Sequence, residues 1–282
     1  MTTRIIAALA ASMMACIIGI SGQEAASQYR ASVVHHADLP KTNPATSTSW
    51  SDHNADLSNT RYSPIDQITA ANAGKLVLKW SYEVPKSESI REETPLVVDG
   101  VMYFNSGSKL YALDAVTGKA VWTFQMEPSF AGGKRGPSYG EGNIYAMGPA
   151  EIYAVDAKAG KLVESFGGNG VLRIINEALE FKYSGKYPKA LDARSLGYGV
   201  ASTPKYYNGT IYVGTSDSDS LIVGGLLIAA DARTGAIKWV FNTVPQGPSD
   251  DGWELAKDTW PANNPRHGGG VWTQPAIDPE LG

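Results

Sequence analysis

The sequence predicts an all-β chain: a β-propeller of four-stranded antiparallel blades, with about four blades present and the ring incomplete. Three observations lead there. A motif with aspartate, a glycine four residues later and a closing phenylalanine occurs three times. A second motif, with proline, glycine and tyrosine at fixed offsets, interleaves with it. The composition suits many short strands and tight turns, with 30 Gly, 16 Pro, 14 Tyr and 7 Trp in 282 residues.

The first 22 residues read as a secretory signal peptide. Arg4 opens it, Ile5 to Ile20 carries no charge, and small residues follow at Gly19, Ser21 and Gly22. The run is close to the ~20 residues of a membrane span, so an uncleaved anchor is the alternative. Either way the chain is expected to be exported. Cys16 lies inside this run and is the sole cysteine, so the mature domain has no internal disulfide. Residues 23–49, rich in Ser, Thr, Asn and Pro from residue 27, read as a linker. The formal net charge is -4 and no basic run exceeds Lys134-Arg135, so no nucleic-acid partner is expected.

Residues 50–282 carry the repeat. ALDAVTGKAVWTF (112–124), AVDAKAGKLVESF (154–166) and AADARTGAIKWVF (229–241) share one frame. Trp122 and Trp239 stand eight residues after the aspartate, and Glu164 takes that place in the middle copy. A weaker copy, NAGKLVLKW (72–80), ends on Trp80. Asp-Ala-x-Thr-Gly reads as a turn, because Asp bonds nearby backbone and Gly accepts positive φ. TPLVVDGVMYF (94–104), GPSYGEGNIYAMG (136–148) and TPKYYNGTIYVG (203–214) each place Gly five and Tyr eight residues after a proline. Their central glycines mark hairpin turns.

Each unit is therefore a run of strands and turns, 42 residues from Asp114 to Asp156, which matches one blade of about 40–45 residues. The 75 residues from Asp156 to Asp231 exceed one unit. The excess, 171–195, reads as an insertion with a short helix around Arg173 to Phe181. TQPAIDPELG, at 273–282, starts a further unit with Pro275 in the proline position. An open blade exposes strand edges, so the expectation is an N-terminal half of a longer protein.

Several stretches together resemble the pyrroloquinoline-quinone (PQQ) dehydrogenases, periplasmic eight-bladed propellers that oxidise alcohols or sugars. They are NTRYSPIDQITAANAGKLVLKWSYEV (59–84), EETPLVVDGVMYF (92–104), the Asp-Ala-x-Thr-Gly-x-x-x-Trp units, VFNTVPQGP (240–248) and GGGVWTQPAIDPELG (268–282). The resemblance implies PQQ and Ca²⁺ as cofactors, with a cytochrome c or membrane quinone as electron acceptor. It implies cofactor contacts at Glu92, with Glu93 competing, at Arg135, at Ser202 and Thr203, and at Trp272 as the floor beneath the ring. Gly268, Gly269 and Gly270 would admit close backbone approach.

The departures are specific. The loop before Arg135, 130–134, lacks the paired cysteines usual in alcohol-oxidising members. GTSDSDS (214–220) has no glutamate for Ca²⁺, leaving Asp217 or Asp219 as substitutes. The family's metal-binding Asn and catalytic Asp are expected past the last residue, so the 282 residues alone are expected to be inactive. No Cys-x-x-Cys-His haem site occurs. The alternative function is a non-catalytic propeller that scaffolds protein assembly, which scatters Glu92, Arg135 and Trp272 rather than converging them. GPSYG (136–140) and HGGG (267–270) suggest an esterase in isolation, but their order and the β-like runs around Ser138 do not suit that fold.

Overall fold

The computed structural model describes residues 49–282 apart from 87, 89, 91, 128–134, 189, 201, 218–221, 262–263 and 282. The signal-peptide and linker readings, the 130–134 loop, the Asp217 side chain and Asp219 lie outside the described residues.

Each proline-glycine motif folds as a hairpin. Asp99-Gly100, Glu141-Gly142 and Asn208-Gly209 all take positive φ at both positions, 49°/79°, 50°/83° and 44°/69°. Two left-handed residues in a row twist a two-residue turn in the sense the flanking strands require. These turns join β1 (Leu96–Val98) to β2 (Val101–Ser106), β5 (Ser138–Gly140) to β6 (Asn143–Met147), and β10 (Lys205–Tyr207) to β11 (Thr210–Asp217).

The aspartate motifs make the other turn of each sheet. Asp114 Oδ1 accepts from the Val116 and Thr117 amides at 3.1 and 2.7 Å, and Gly118 N–H returns to Asp114 O. Asp156 and Asp231 repeat the pattern. These turns join β3 (Lys109–Asp114) to β4 (Ala120–Gln125) and β12 (Leu226–Asp231) to β13 (Ile237–Asn242). The result is three antiparallel sheets among the described residues, the four-stranded β1-β2-β3-β4 and β5-β6-β7-β8 and a third whose main path is β10-β11-β12-β13. Here β7 is Ile152–Asp156, β8 is Val171–Leu172, and β9 (Tyr198–Val200) pairs with the far end of β11.

The expected architecture stands, with two refinements. The weak copy at 72–80 forms no sheet of its own, and neither does 273–282. Residues 162–166, which follow the second aspartate turn, form only one bridge among the described residues, Val155 to Leu162. The outer strand of the second sheet is instead β8, inside the stretch expected to be insertion. Glu164 stands where the flanking copies have tryptophan, and the chain turns through Gly167, Asn169 and Gly170, all at positive φ. The expected short helix forms at Ile174–Lys182 and buries Ile174, Ile175, Ala178 and Leu179 on one face.

Tryptophans join neighbouring layers. Trp80 lies on Gly118 and donates to Ala115 O at 3.2 Å. Trp122 lies on Gly160, where an added Cβ would fall 2.6 Å from the ring, and donates to Ala157 O at 3.0 Å. At the third such turn no indole arrives, and Gly167 N–H donates to Thr234 O at 2.9 Å instead. Replacing the half-buried Trp122 by Ala is expected to cost about 2 kcal/mol in urea unfolding. Val116→Ala, at a side chain 79% exposed, is the control, and equal costs would show that the seat contributes nothing.

Candidate functional site

The site grows from a loop, a clamp and three strand entries. The loop is 50–61. Trp50 exchanges backbone hydrogen bonds with Val97 of β1 at 2.7 and 2.9 Å, which ties the loop to the first sheet. The loop then surrounds the Lys205 ammonium. Lys205 is fully buried and donates to Asp52 Oδ1 (3.1 Å), Asp56 O (2.6 Å) and Asn59 Oδ1 (3.0 Å). Burial pushes the Lys205 pKa down and the Asp52 pKa up, and the attraction between the two charges opposes both shifts.

The clamp holds the glycine-rich segment that leads to Trp272. Gly268 N–H donates to Ile222 O, Gly225 N–H to Gly268 O, and Val271 N–H to Thr215 O, at 2.8–3.1 Å. Thr243 Oγ1 donates to Gly269 O at 2.7 Å. This approach leaves no room for side chains. A Cβ on Gly225 would fall on the Gly269 carbonyl oxygen, and one on Gly214 on the Val271 carbonyl oxygen. After Trp272, Gln274 ties the segment to the loop. Its amide donates to Pro204 O at 2.8 Å, and its backbone carbonyl accepts from Asn59 Nδ2 at 2.9 Å.

The structure brings three of the expected site residues together. The Arg135 guanidinium lies 5.0 Å from the Trp272 ring centroid and 3.0 Å from a Glu92 carboxylate oxygen. Trp272 is 55% exposed, so indole surface remains open. Glu92 sits at φ 53° with its carboxylate towards solvent, while Glu93 turns inward. Glu93 Oε1 accepts from the Asn105 amide at 2.7 Å and its Oε2 has no partner. Burial pushes its pKa up to about 8, opposed by that amide. Ser202 serves its turn: its hydroxyl donates to Thr203 O and accepts from Gly214 N–H. The Thr203 hydroxyl is buried without a partner.

Sequence reasoning missed His53, Asn105, Ser138 and Lys205. His53 is buried, bonds the Arg135 backbone, and has no partner at Nδ1. Burial, then the Arg61 cation, lower its pKa to about 4, so it is neutral at pH 7. Asn105 and Ser138 are buried with side-chain heteroatoms unpartnered. The repeat held a signal for two of the four. Leu96, Ser138 and Lys205 each follow the motif proline, and all three are buried.

The fold has known counterparts. Residues 50–282 match the family model described as "PQQ: Glucose/ethanol/alcohol dehydrogenase, beta-propeller domain". Among curated proteins, the chain is 32% identical over 234 residues to the quinohemoprotein alcohol dehydrogenase ADH-IIG of Pseudomonas putida, covering 78% of this chain and 30% of that protein. It is 27% identical over 274 residues to the quinohemoprotein alcohol dehydrogenase of Comamonas testosteroni, covering 86% and 34%. The crystal structure of the Comamonas enzyme superposes with a TM-score of 0.68 at 26% identity, over 88% of this chain and 36% of that one. A europium-containing methanol dehydrogenase, 24% identical with a TM-score of 0.63, shares the fold. The chain spans about a third of the length of the curated relatives it matches. With the family model covering the whole repeat region and the three sheets in its fold, the chain belongs to the PQQ-dependent glucose/ethanol/alcohol dehydrogenase β-propeller family.

Proposed function

We propose that these residues form part of the cofactor funnel of a periplasmic PQQ-dependent dehydrogenase that oxidises an alcohol or a sugar and passes electrons to a cytochrome c or membrane quinone. The observation that carries this is the convergence of Arg135 on Trp272, with Glu92 paired to the same guanidinium. A scaffold gives no reason for a cation over an exposed indole.

The residues suit a planar, polyanionic quinone. Trp272 offers a flat face for stacking. Arg135 supplies a fixed cation towards carbonyl and carboxylate oxygens, and stabilises negative charge that develops there. Thr203, Glu93 and Asn105 have unpartnered oxygen and nitrogen atoms, and buried polar atoms of this kind call for a partner. Ser202 shapes the entry to β10 that carries Thr203. Bound PQQ would supply the two-electron oxidising chemistry; the protein supplies stacking, charge and orientation. Ca²⁺ rests on the family alone, because no cluster of three His, Cys, Asp or Glu among the described residues could hold a metal. We expect the 282-residue chain to bind PQQ without turning over alcohol, since the base of the family's reaction is not assigned to any of the site residues.

Titrating the chain with PQQ and following tryptophan fluorescence tests this. Saturable binding is expected, weakened about tenfold by Trp272→Ala, which removes ~1.4 kcal/mol of stacking. Binding that is absent, or indifferent to Trp272→Ala, would refute the assignment.

A further inference from the structure

Lys205 is the one fully buried lysine among the described residues, and the proposed chemistry makes no use of it. Its two counterparts in the repeat are Leu96 and Ser138, neither of them charged. Burying an ammonium costs several kcal/mol unless it is well paired, so a brace for one strand would be better made from leucine. The arrangement around Lys205 suggests what the charge does instead. Its carboxylate partner, Asp52, is followed in the chain by His53, which bonds the Arg135 backbone. Pro204, which precedes Lys205, accepts the Gln274 amide two residues past Trp272. Gln274 also reaches Asp52 Oδ2 at 3.5 Å and Asn54 Nδ2 at 3.4 Å. Thr203, with its unpartnered hydroxyl, precedes Pro204.

We infer that the buried Lys205–Asp52 pair is the positioning element of the site, setting Trp272 through Gln274 and Arg135 through His53. Lys205 touches neither ring nor guanidinium, so it acts through these neighbours. The ammonium gathers the 52–59 loop by three acceptors, and the loop holds both arms of the site at once. The role in cofactor binding rests on the function proposed above; the effect on Trp272 does not.

The test uses the 282-residue chain with 5-fluorotryptophan at all seven tryptophans. Single Trp→Phe variants assign the ¹⁹F resonances. Lys205→Met/Asp52→Asn removes both charges with little change of volume, and Gln274→Met breaks the arm to Trp272 alone should the first variant fail to fold. Either variant is expected to move the Trp272 resonance while those of Trp80 and Trp122, seated between layers, stay in place. PQQ affinity is expected to fall about tenfold, and no further when Trp272→Ala is added, because coupled residues are not additive. A Trp272 resonance that stays at its wild-type position in both variants would overturn the inference. So would movement of Trp272 only in company with Trp80 and Trp122, the sign of general loosening. Failure of the unmodified chain to bind PQQ would sink the functional proposal, and the resonances would still decide the positioning role.

Discussion

Glu93→Gln is expected to remove about 5 kcal/mol of pH dependence from the unfolding free energy between pH 4.5 and 8. Burial raises the folded pKa of Glu93 from 4.5 to about 8. Across that window the unfolded chain has lost the proton and the folded chain keeps it. Stability from this group is therefore complete below pH 4.5 and declines at about 1.4 kcal/mol per unit as pH rises to 8. His53 works in the opposite sense. Its folded pKa lies near 4 rather than 6.5, so the unfolded chain binds the extra proton and stability rises across that interval, by ~3 kcal/mol.

The two slopes cancel between about pH 4.5 and 6.5, and only the decline from Glu93 remains above. Urea unfolding at pH 4.5, 6.5 and 8 separates them. Relative to the unmodified chain, Glu93→Gln should unmask the rise from His53 and flatten the upper interval. His53→Gln should unmask the decline from Glu93 over the lower interval. Parallel curves for all three proteins would mean that neither group is desolvated.

Gly225→Ala is expected to cost about 4 kcal/mol and to abolish PQQ binding together with it. The new methyl would meet the Gly269 carbonyl oxygen, the Gly269 carbonyl carbon and Gly270 Cα, all of them backbone. No flexible side chain can yield, so the glycine-rich segment must lift away and take Trp272 with it. Gly209→Ala is the reference. It has open space but sits at φ 69°, so the left-handed backbone alone costs ~1 kcal/mol. If the two variants unfold alike, the close approach is not what holds the segment.

Turn chemistry carried most of the fold into view from the sequence. Asp99-Gly100 and Asp114 with Gly118 act through backbone a few residues away, and local rules suffice for them. The displaced outer strand of the second sheet was hidden, because Glu164 breaks the motif without showing where the chain goes next. Within the site, Arg135 and Trp272 were legible through family resemblance and do meet. Glu92 and Glu93 were not told apart by the sequence, and the structure directs the first to solvent and the second inward, with φ 53° at Glu92. Lys205 and His53 were hidden for a broader reason. Lysine is among the residues least often buried, and its acceptors lie about 150 positions away in the chain.

That separation bears on the order in which the molecule forms. Among the described residues, the main path of each sheet runs through strands consecutive in the chain, so its pairings are local compared with the ties of the 52–61 loop. The hydrogen bond between Asn54 and Gln274 spans 220 positions. Contacts between distant positions follow local ones, because their loop-closure entropy is lost before they stabilise anything. On a ribosome the 52–61 loop leaves the exit tunnel long before Gln274 is made. The sheets are thus expected to form before the contacts between the 52–61 loop and Gln274, and those same contacts are expected to loosen first when the native state opens locally.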